Sequence, residues 1–287
     1  MLKNWRQGCL RLGKVLAIAY TSTCAILFFN QQYFIFKPTR NFQKTPDFYN
    51  LSYQNVYLPV ASNSRDVIHG WWLPAKQPRL GTLLYLHGNG FNIGSNINQA
   101  YRFQQMGFSV LLIDYRGYGK SQGNFPHESQ VYQDAQIAWD YLVNQRKIPA
   151  NHIFIYGHSL GGAVAIDLAV KKPDAAGLIV HNSFTSMGKM AELNPYFRLF
   201  PIDLILNNRF DSIDKVKSLQ VPVLLVHGTA DPMIPYRMSK FLYAAAPEPK
   251  ELLLVPDAKH NNGDAFFNNV QYRKTIQNFA QSVLKIK

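Results

Sequence analysis

The sequence predicts an α/β architecture: a mostly parallel central sheet with helices on both faces, preceded by an apolar N-terminal helix. Three observations lead there. Apolar runs of strand length recur at 81–87, 108–114, 152–157, 177–182, 221–227 and 251–255. Helix-length stretches separate them, at about 95–106, 129–146, 160–171, 235–246 and 264–285. Strands that alternate with helices are joined by crossovers, which makes neighbouring strands parallel and covers both faces. Finally, the run His152-Ile153-Phe154-Ile155-Tyr156 passes through Gly157-His158-Ser159-Leu160-Gly161 into the small-residue run Gly162-Ala163-Val164-Ala165-Ile166. That context reads strand, sharp turn, helix.

The N-terminus comes first. Seven basic and no acidic side chains fall in residues 1–44, which is half of the net charge of +13. They flank one apolar run, Val15 to Phe29, which as a helix spans about 22 Å, short of a hydrocarbon core of roughly 30 Å. Extending it through Asn30-Gln31-Gln32 to Phe36 gives about 33 Å, with three amides near one end. Basic flanks around an apolar helix favour an anionic membrane surface over nucleic acid. No small-x-small cleavage site follows the run, so an uncleaved anchor over 1–36 is expected ahead of a cleaved signal or an interfacial helix. The basic residues on its N-terminal side slightly outnumber those after it, which leans toward an external catalytic domain. Cys9 and Cys24 both lie in this segment, so the remainder, 37–287, has no disulfide.

Asn55 to Pro59 and Val67 to Pro74 read as an antiparallel pair around the turn-rich Ala61-Ser62-Asn63-Ser64. The alternating strands and helices follow. One segment breaks the rhythm: between Ser183 and Arg209, after the sixth strand, the chain carries Phe184, Met187, Met190, Phe197, Ile202, Leu206 and further apolar residues. A short cap at about 183–210, lining an apolar acyl pocket, is the functional reading; plain packing onto the sheet is the alternative. Phe91, His158, Phe184 and Met187 are the expected pocket residues.

Gly-x-Ser-x-Gly between a strand and a helix is the nucleophile elbow. Its serine takes a strained conformation that lifts the hydroxyl clear of the sheet, and the flanking glycines let strand and helix approach. A serine hydroxyl needs a base, and the base needs an orienting carboxylate. In this arrangement the chain order is Ser, Asp or Glu, His. Asp231 follows the strand 221–227, and His260 follows the strand 251–255, so both stand at strand exits in the required order. Asp257 reads as a turn residue, and Asp211 and Asp214 as helix caps. The strand ending at Asn182 offers no carboxylate. Of the other histidines, His69, His127 and His152 fall in a strand, at a helix start and at a strand start. His181 and His227 are expected to hydrogen-bond neighbouring loops.

Acyl transfer places negative charge on a carbonyl oxygen, and two backbone N–H groups should face it. Leu160, just after the nucleophile, supplies one. The His87-Gly88-Asn89-Gly90 loop supplies the other, from Asn89 first and Gly90 second. No pair of histidines has the His-Glu-x-x-His spacing of a zinc site, and neither a metal nor a cofactor is expected.

These residues resemble α/β-hydrolase-fold serine hydrolases. Within them the chain is most similar to the membrane-anchored branch of abhydrolase-domain proteins and their bacterial homologues. The resemblance rests on His87-Gly88-Asn89-Gly90, the run Asp114-Tyr115-Arg116-Gly117-Tyr118-Gly119-Lys120-Ser121, the elbow, Asn182-Ser183-Phe184-Thr185-Ser186-Met187, Asp231 and His260. Phe36-Lys37-Pro38-Thr39-Arg40 and Gly70-Trp71-Trp72-Leu73-Pro74 match as well, so that it covers residue 33 to the end. It implies a serine hydrolase, with thioesterase-like members among the relatives. The reading is therefore a cofactor-free hydrolase of esters or thioesters with an apolar acyl group. Its substrate is expected to be small or lipid-like, with the membrane as neighbour and no nucleic-acid partner. A peptidase or amidase, and a non-catalytic tethered binding protein, are the alternatives. A serine at the elbow excludes a halide-releasing enzyme, which needs aspartate there.

Overall fold

A computed structural model describes residues 2–60, 66–77 and 80–286. The expected turn at Ala61-Ser62-Asn63-Ser64 lies outside the described residues. Eight strands form the central sheet: β1 (Gln54–Pro59), β2 (Val67–Leu73), β3 (Thr82–Leu86), β4 (Ser109–Ile113), β5 (Ile153–His158), β6 (Gly177–His181), β7 (Val223–Gly228) and β8 (Lys250–Val255). Their spatial order is β8-β7-β6-β5-β3-β4-β2-β1. All neighbouring pairs are parallel except those that involve β2, which runs antiparallel to β1 and β4.

The period of two along each strand divides the interior. In β3, Leu84 and Leu86 enter one apolar core, while Leu83 and Tyr85 enter the other. Helices α3 (Glu128–Asp140), α4 (Leu160–Lys171) and α8 (Arg237–Ala245) cover the first face. Helices α2 (Ile97–Met106), α9 (Gly263–Asn268) and α10 (Val270–Ile286) cover the second. Helix α4 is buried from Leu160 to Ala169, which explains a composition with almost no polar side chains. The expected helix 129–146 ends its regular part at Asp140 and continues as one wider turn to Gln145. The expected helix 264–285 is two helices, because Asn269 takes an extended conformation.

Registers bring the carboxyl ends of the strands to one edge. Leu86 lies beside Gly157, His158 beside His181, His181 beside Val226, and Val255 beside Gly228. Every loop that the sequence marked for chemistry therefore leaves the sheet on the same side.

Helix α1 (Leu2–Ile35) runs unbroken through the three amides at 30–32. Trp5–Ile35 is, among the described residues, the one helix long and apolar enough to cross a membrane by length and composition. The expected boundary at residue 36 is not a gap in packing: Ile35 and Phe36 are buried in the core of the first face. After it, Lys37–Pro38 pairs in parallel with Gly90–Phe91. The insertion after β6 folds as short helices α5 (Met187–Ala191), α6 (Ile202–Ile205) and α7 (Ser212–Lys215), with a 3-10 turn at Phe197–Leu199. Asp211 stands at the N-cap of α7, but its carboxylate accepts from Arg209 Nε at 2.7 Å rather than capping the helix. Asp214 lies in that helix's first turn and pairs with Lys217. Neither carboxylate approaches the strand exits.

Candidate active site

Strand β5 delivers Ser159 with φ 56° and ψ −122°, a region that L-residues avoid at about 1–3 kcal/mol. The glycines around it are there for space. A β-carbon on Gly157 would collide with the Gly161 carbonyl, and one on Gly161 with the carbonyls of Leu86 and His87. One on Gly162 would press into Ser183. On the far side, a β-carbon at Gly88 would meet the Ser159 side chain at 3.2 Å, so the His87–Gly90 loop lies against the serine.

The structure brings Ser159, His260 and Asp231 together. His260 Nδ1–H donates to Asp231 Oδ2 at 2.6 Å, and His260 Nε2 lies 3.0 Å from Ser159 Oγ. A carboxylate can only accept, so Nδ1 carries the proton and the Nε2 lone pair faces the hydroxyl. Asp231 Oδ1 accepts from the amides of Met233 and Ile234 at 2.8 and 2.9 Å. Burial acts to raise the Asp231 carboxyl, but hydrogen bonds from His227, His260 and the Ile234 amide outweigh it and hold the group below the ordinary carboxylate range. Asp257 sits in its turn with φ 57° and does not compete for His260.

Asn182 is the residue that sequence reasoning passed over. At φ 48° it leaves β6, donates from Nδ2 to the His260 carbonyl at 2.9 Å and accepts on Oδ1 from the Gly228 amide at 3.0 Å. One side chain thus ties the exits of β6, β7 and β8. Ser183 donates from Oγ to the Ser159 carbonyl at 2.8 Å. The sequence signal is the amide that closes the strand 177–182 and heads the run Asn182 to Met187.

Among the described contacts, the amides of Leu160 and Asn89 have no acceptor within the protein, and both residues border the space beside Ser159. The Asn89 loop is held from three sides. Its carbonyl accepts from the Lys37 amide at 2.9 Å and from the Tyr118 hydroxyl at 2.7 Å, and its side chain donates to the Ile35 carbonyl at 2.8 Å. Tyr115 donates to the His87 carbonyl at 3.1 Å. The run Asp114 to Ser121 therefore supports this loop, and it is itself pinned by the buried pair of Arg116 with Asp134. Gly90 pairs with Lys37 and stands outside the cavity.

A cavity of about 230 Å³ opens beside Ser159. Phe184 and Met187 line it as expected, together with Met190, Phe197, Ile202, Ile205 and Leu206 of the cap and Met233 and Ile234 of the Asp231 loop. Two expected lining residues lie elsewhere. Phe91 adopts φ 62°, is 52% exposed and faces a separate surface groove with Tyr33 and Phe125. His158 lies behind His260, 5.0 Å between ring centroids, and donates from Nε2 to the His260 carbonyl at 3.1 Å. Burial, with His260 beside it, pushes His158 down to about 3, so it is neutral near pH 7.

The fourth wall was not expected. Leu27, Gln31, Phe34 and Ile35 of helix α1 close the cavity. Gln31 is buried, donates from Nε2 to the Ile205 carbonyl at 3.2 Å and accepts on Oε1 from the amides of Asn207 and Asn208, both at 2.8 Å. An amide within an apolar run was the signal, since such a group must find partners.

His227 reaches a loop as expected, donating from Nε2 to the Ile234 carbonyl at 2.9 Å. His181 does not: its Nδ1 meets the Tyr156 hydroxyl on the neighbouring strand at 2.7 Å. Among the described residues, no three His, Cys, Asp or Glu side chains converge as a metal site requires.

The family described as serine aminopeptidase, S33, matches residues 77–209. The α/β-hydrolase domain-containing protein WAV2 of Arabidopsis thaliana is 31% identical over 222 residues, 72% of this chain and 71% of that protein. The chain belongs to the α/β-hydrolase-domain family. Protein bem46 of Schizosaccharomyces pombe, 32% identical over 249 residues, spans 78% of this α/β hydrolase and is itself covered to 77%. The Pyrococcus furiosus esterase Pf2001 superposes with a TM-score of 0.69 at 19% identity, over 86% of this chain and 98% of its own, and supports the fold. Family and fold together support hydrolase activity for this α/β hydrolase.

Proposed function

We propose that the protein is a serine hydrolase that cleaves esters or thioesters with an apolar acyl group. The observation that carries this reading is the hydrogen-bonded series Ser159–His260–Asp231 at the edge of an apolar cavity. Ser159 Oγ attacks the acyl carbonyl carbon while His260 Nε2 takes its proton, and Asp231 stabilises the imidazolium. The oxygen of the tetrahedral intermediate gathers negative charge in front of the Leu160 and Asn89 amides. Collapse breaks the bond to the alcohol or thiol, which leaves with the proton from His260. Water then attacks the acyl-serine with His260 again as base, releasing the acid and restoring the hydroxyl. The N-terminal helix would hold this chemistry at a membrane.

The family description favours a second reading, an aminopeptidase. Such an enzyme must bind a free α-ammonium group, which calls for a carboxylate near the scissile bond. Apart from the triad, no charged side chain borders the cavity among the described residues, and an acyl chain is the better match.

The test compares the full chain with Ser159→Ala. Hydrolysis of p-nitrophenyl butyrate is expected to fall by about 10⁴-fold or more, and labelling by a fluorophosphonate to vanish. Equal labelling of the two proteins rejects the assignment.

A further inference from the structure

Helix α1 does two things at once: it is the apolar N-terminal segment, and it is a wall of the cavity. We propose that α1 and the cap form one bilayer-docking face, through which the acyl chain of a membrane lipid passes into the cavity beside Ser159 without crossing water. The substrate part of this inference rests on the hydrolase reading above; the docking part does not.

The argument begins with where the cap is attached. The Tyr20 hydroxyl donates to the Leu199 carbonyl at 3.0 Å, and the Tyr20 ring stacks on Phe200 at 5.6 Å. One end of Gln31 is bonded to Ile205 and the other to the amides of Asn207 and Asn208. From Tyr20 to Gln31 the helix advances about 16 Å, so the cap follows α1 over roughly that length.

Depth then follows from charge. The uncharged run of α1 is Val15 to Ile35; Lys3, Arg6, Arg11 and Lys14 precede it. The part ahead of the cap, Leu2 to Ala19, is about 27 Å long, less than the roughly 30 Å of a hydrocarbon core, and it contains those four cations. No placement puts the run in the bilayer and leaves the cap in water. Residues 199–205 lie beside the run and must share its depth.

The exposed side chains of the cap are mostly apolar, and the exposed carboxylate of Asp203 sets them at the boundary of hydrocarbon and headgroups rather than at the bilayer centre. Leu204 is 81% exposed, Tyr196 75% and Leu199 69%, beside Phe29 of α1 at 71%. Leu199 and Leu204 each stand at or next to a backbone group bonded to α1. Ile202 and Ile205 flank Leu204 and line the cavity, so the cap separates the outer face from the acyl space by a single turn of helix. The occupant is a bilayer with anionic lipids, since the four cations of residues 3–14 precede the run with no acidic side chain among them, whereas Arg198 on the cap is offset by Glu192 and Asp203.

Two measurements on the full chain test this. With Cys9→Ser and Cys24→Ser as background, Leu204→Cys is labelled with bimane and bound to vesicles of phosphatidylcholine and phosphatidylglycerol carrying brominated acyl chains. Strong quenching at 204 is expected, and none at Asp174→Cys, an exposed position on the opposite edge of the sheet. No quenching at 204 overturns the proposal, as does protection of 204 by a second copy of the chain without lipid. In the second measurement, Leu199→Glu with Leu204→Glu is expected to lower hydrolysis of a long-chain ester embedded in vesicles by about tenfold or more. Hydrolysis of soluble p-nitrophenyl butyrate should stay within about twofold, which reports that the protein is folded. Equal loss on both esters, or on neither, overturns the lateral route. Quenching at 204 in a protein that hydrolyses no ester upholds the docking face and rejects the hydrolase reading instead.

Discussion

Asn182 shows how much of the site is held by a group that takes no part in proton transfer. Its amide holds the His260 carbonyl and the Gly228 amide, and so sets the height of the imidazole over Ser159. Asn182→Ala leaves the buried Gly228 amide unsatisfied, at about 1–3 kcal/mol, and leaves the His260 carbonyl held by His158 alone. Because displacement of about 1 Å at a reacting group costs on the order of 100-fold, kcat for a soluble ester is expected to fall by about 10- to 100-fold. KM should hold, since the cavity walls are untouched; a raised KM at unchanged kcat would count against the positioning role. The sequence made Ser159, Asp231 and His260 legible because the elbow and the chain order constrain them independently of contacts. It could not reveal Asn182, whose meaning lies in joining three strand exits far apart along the chain. Phe91 and His158 failed for a different reason. Each lies within two positions of a site residue, Asn89 or Ser159, but a positive φ at one and the strand's period of two at the other send the side chains away from the cavity.

Among the elements, the joint between α1 and the cap matters most. Tyr20, Gln31, Phe34 and Phe36 meet residues 197–210 across some 175 positions of sequence. A hydropathy profile treats an apolar helix as lipid-facing all round, so this wall was not legible, although the strands, the helices and the insertion were. Gln31→Leu conserves volume and strips the Ile205 carbonyl and the Asn207 and Asn208 amides of their partner. At about 1–3 kcal/mol for a buried polar group left unsatisfied, local opening of the cap is expected to rise roughly 5- to 150-fold. Limited proteolysis within 192–206 should quicken accordingly while β3 to β7 stay protected from hydrogen exchange. Unchanged cleavage would show that the helix does not hold the cap.

For the molecule as a whole, buried titratable groups dictate an acid response. Burial pushes His69 and His87 down to about 4 and His158 to about 3, and holds His181 well below its ordinary value. In the unfolded chain each has a pKa near 6.5. Between that value and about 4 the unfolded state binds more protons, so stability present at pH 7 is lost as pH falls through this window. Asp114 and Asp134 act in the opposite direction, since burial raises both and the folded state then holds protons that the unfolded state releases. Four histidines against two carboxyls leave a net uptake of protons on unfolding at pH 5.5. Calorimetry in buffers of different ionisation enthalpy should measure it, with a lower Tm at pH 5 than at pH 7. Net release would contradict the assignment of these histidines as buried and neutral.

The short parallel pairing of Lys37–Pro38 with Gly90–Phe91, and the bond from the Asn89 side chain to the Ile35 carbonyl, also bear on how the enzyme should be handled. A hydrophobic leader is usually trimmed away to obtain a soluble product. Trimming this chain to begin at Lys37 would take the Ile35 acceptor from the loop that presents the Asn89 amide, and would unroof the cavity beside Ser159 along Leu27 to Ile35. Such a shortened chain would misreport any activity that depends on the Asn89 amide or on the walled cavity, and the full chain is the proper material for such measurements.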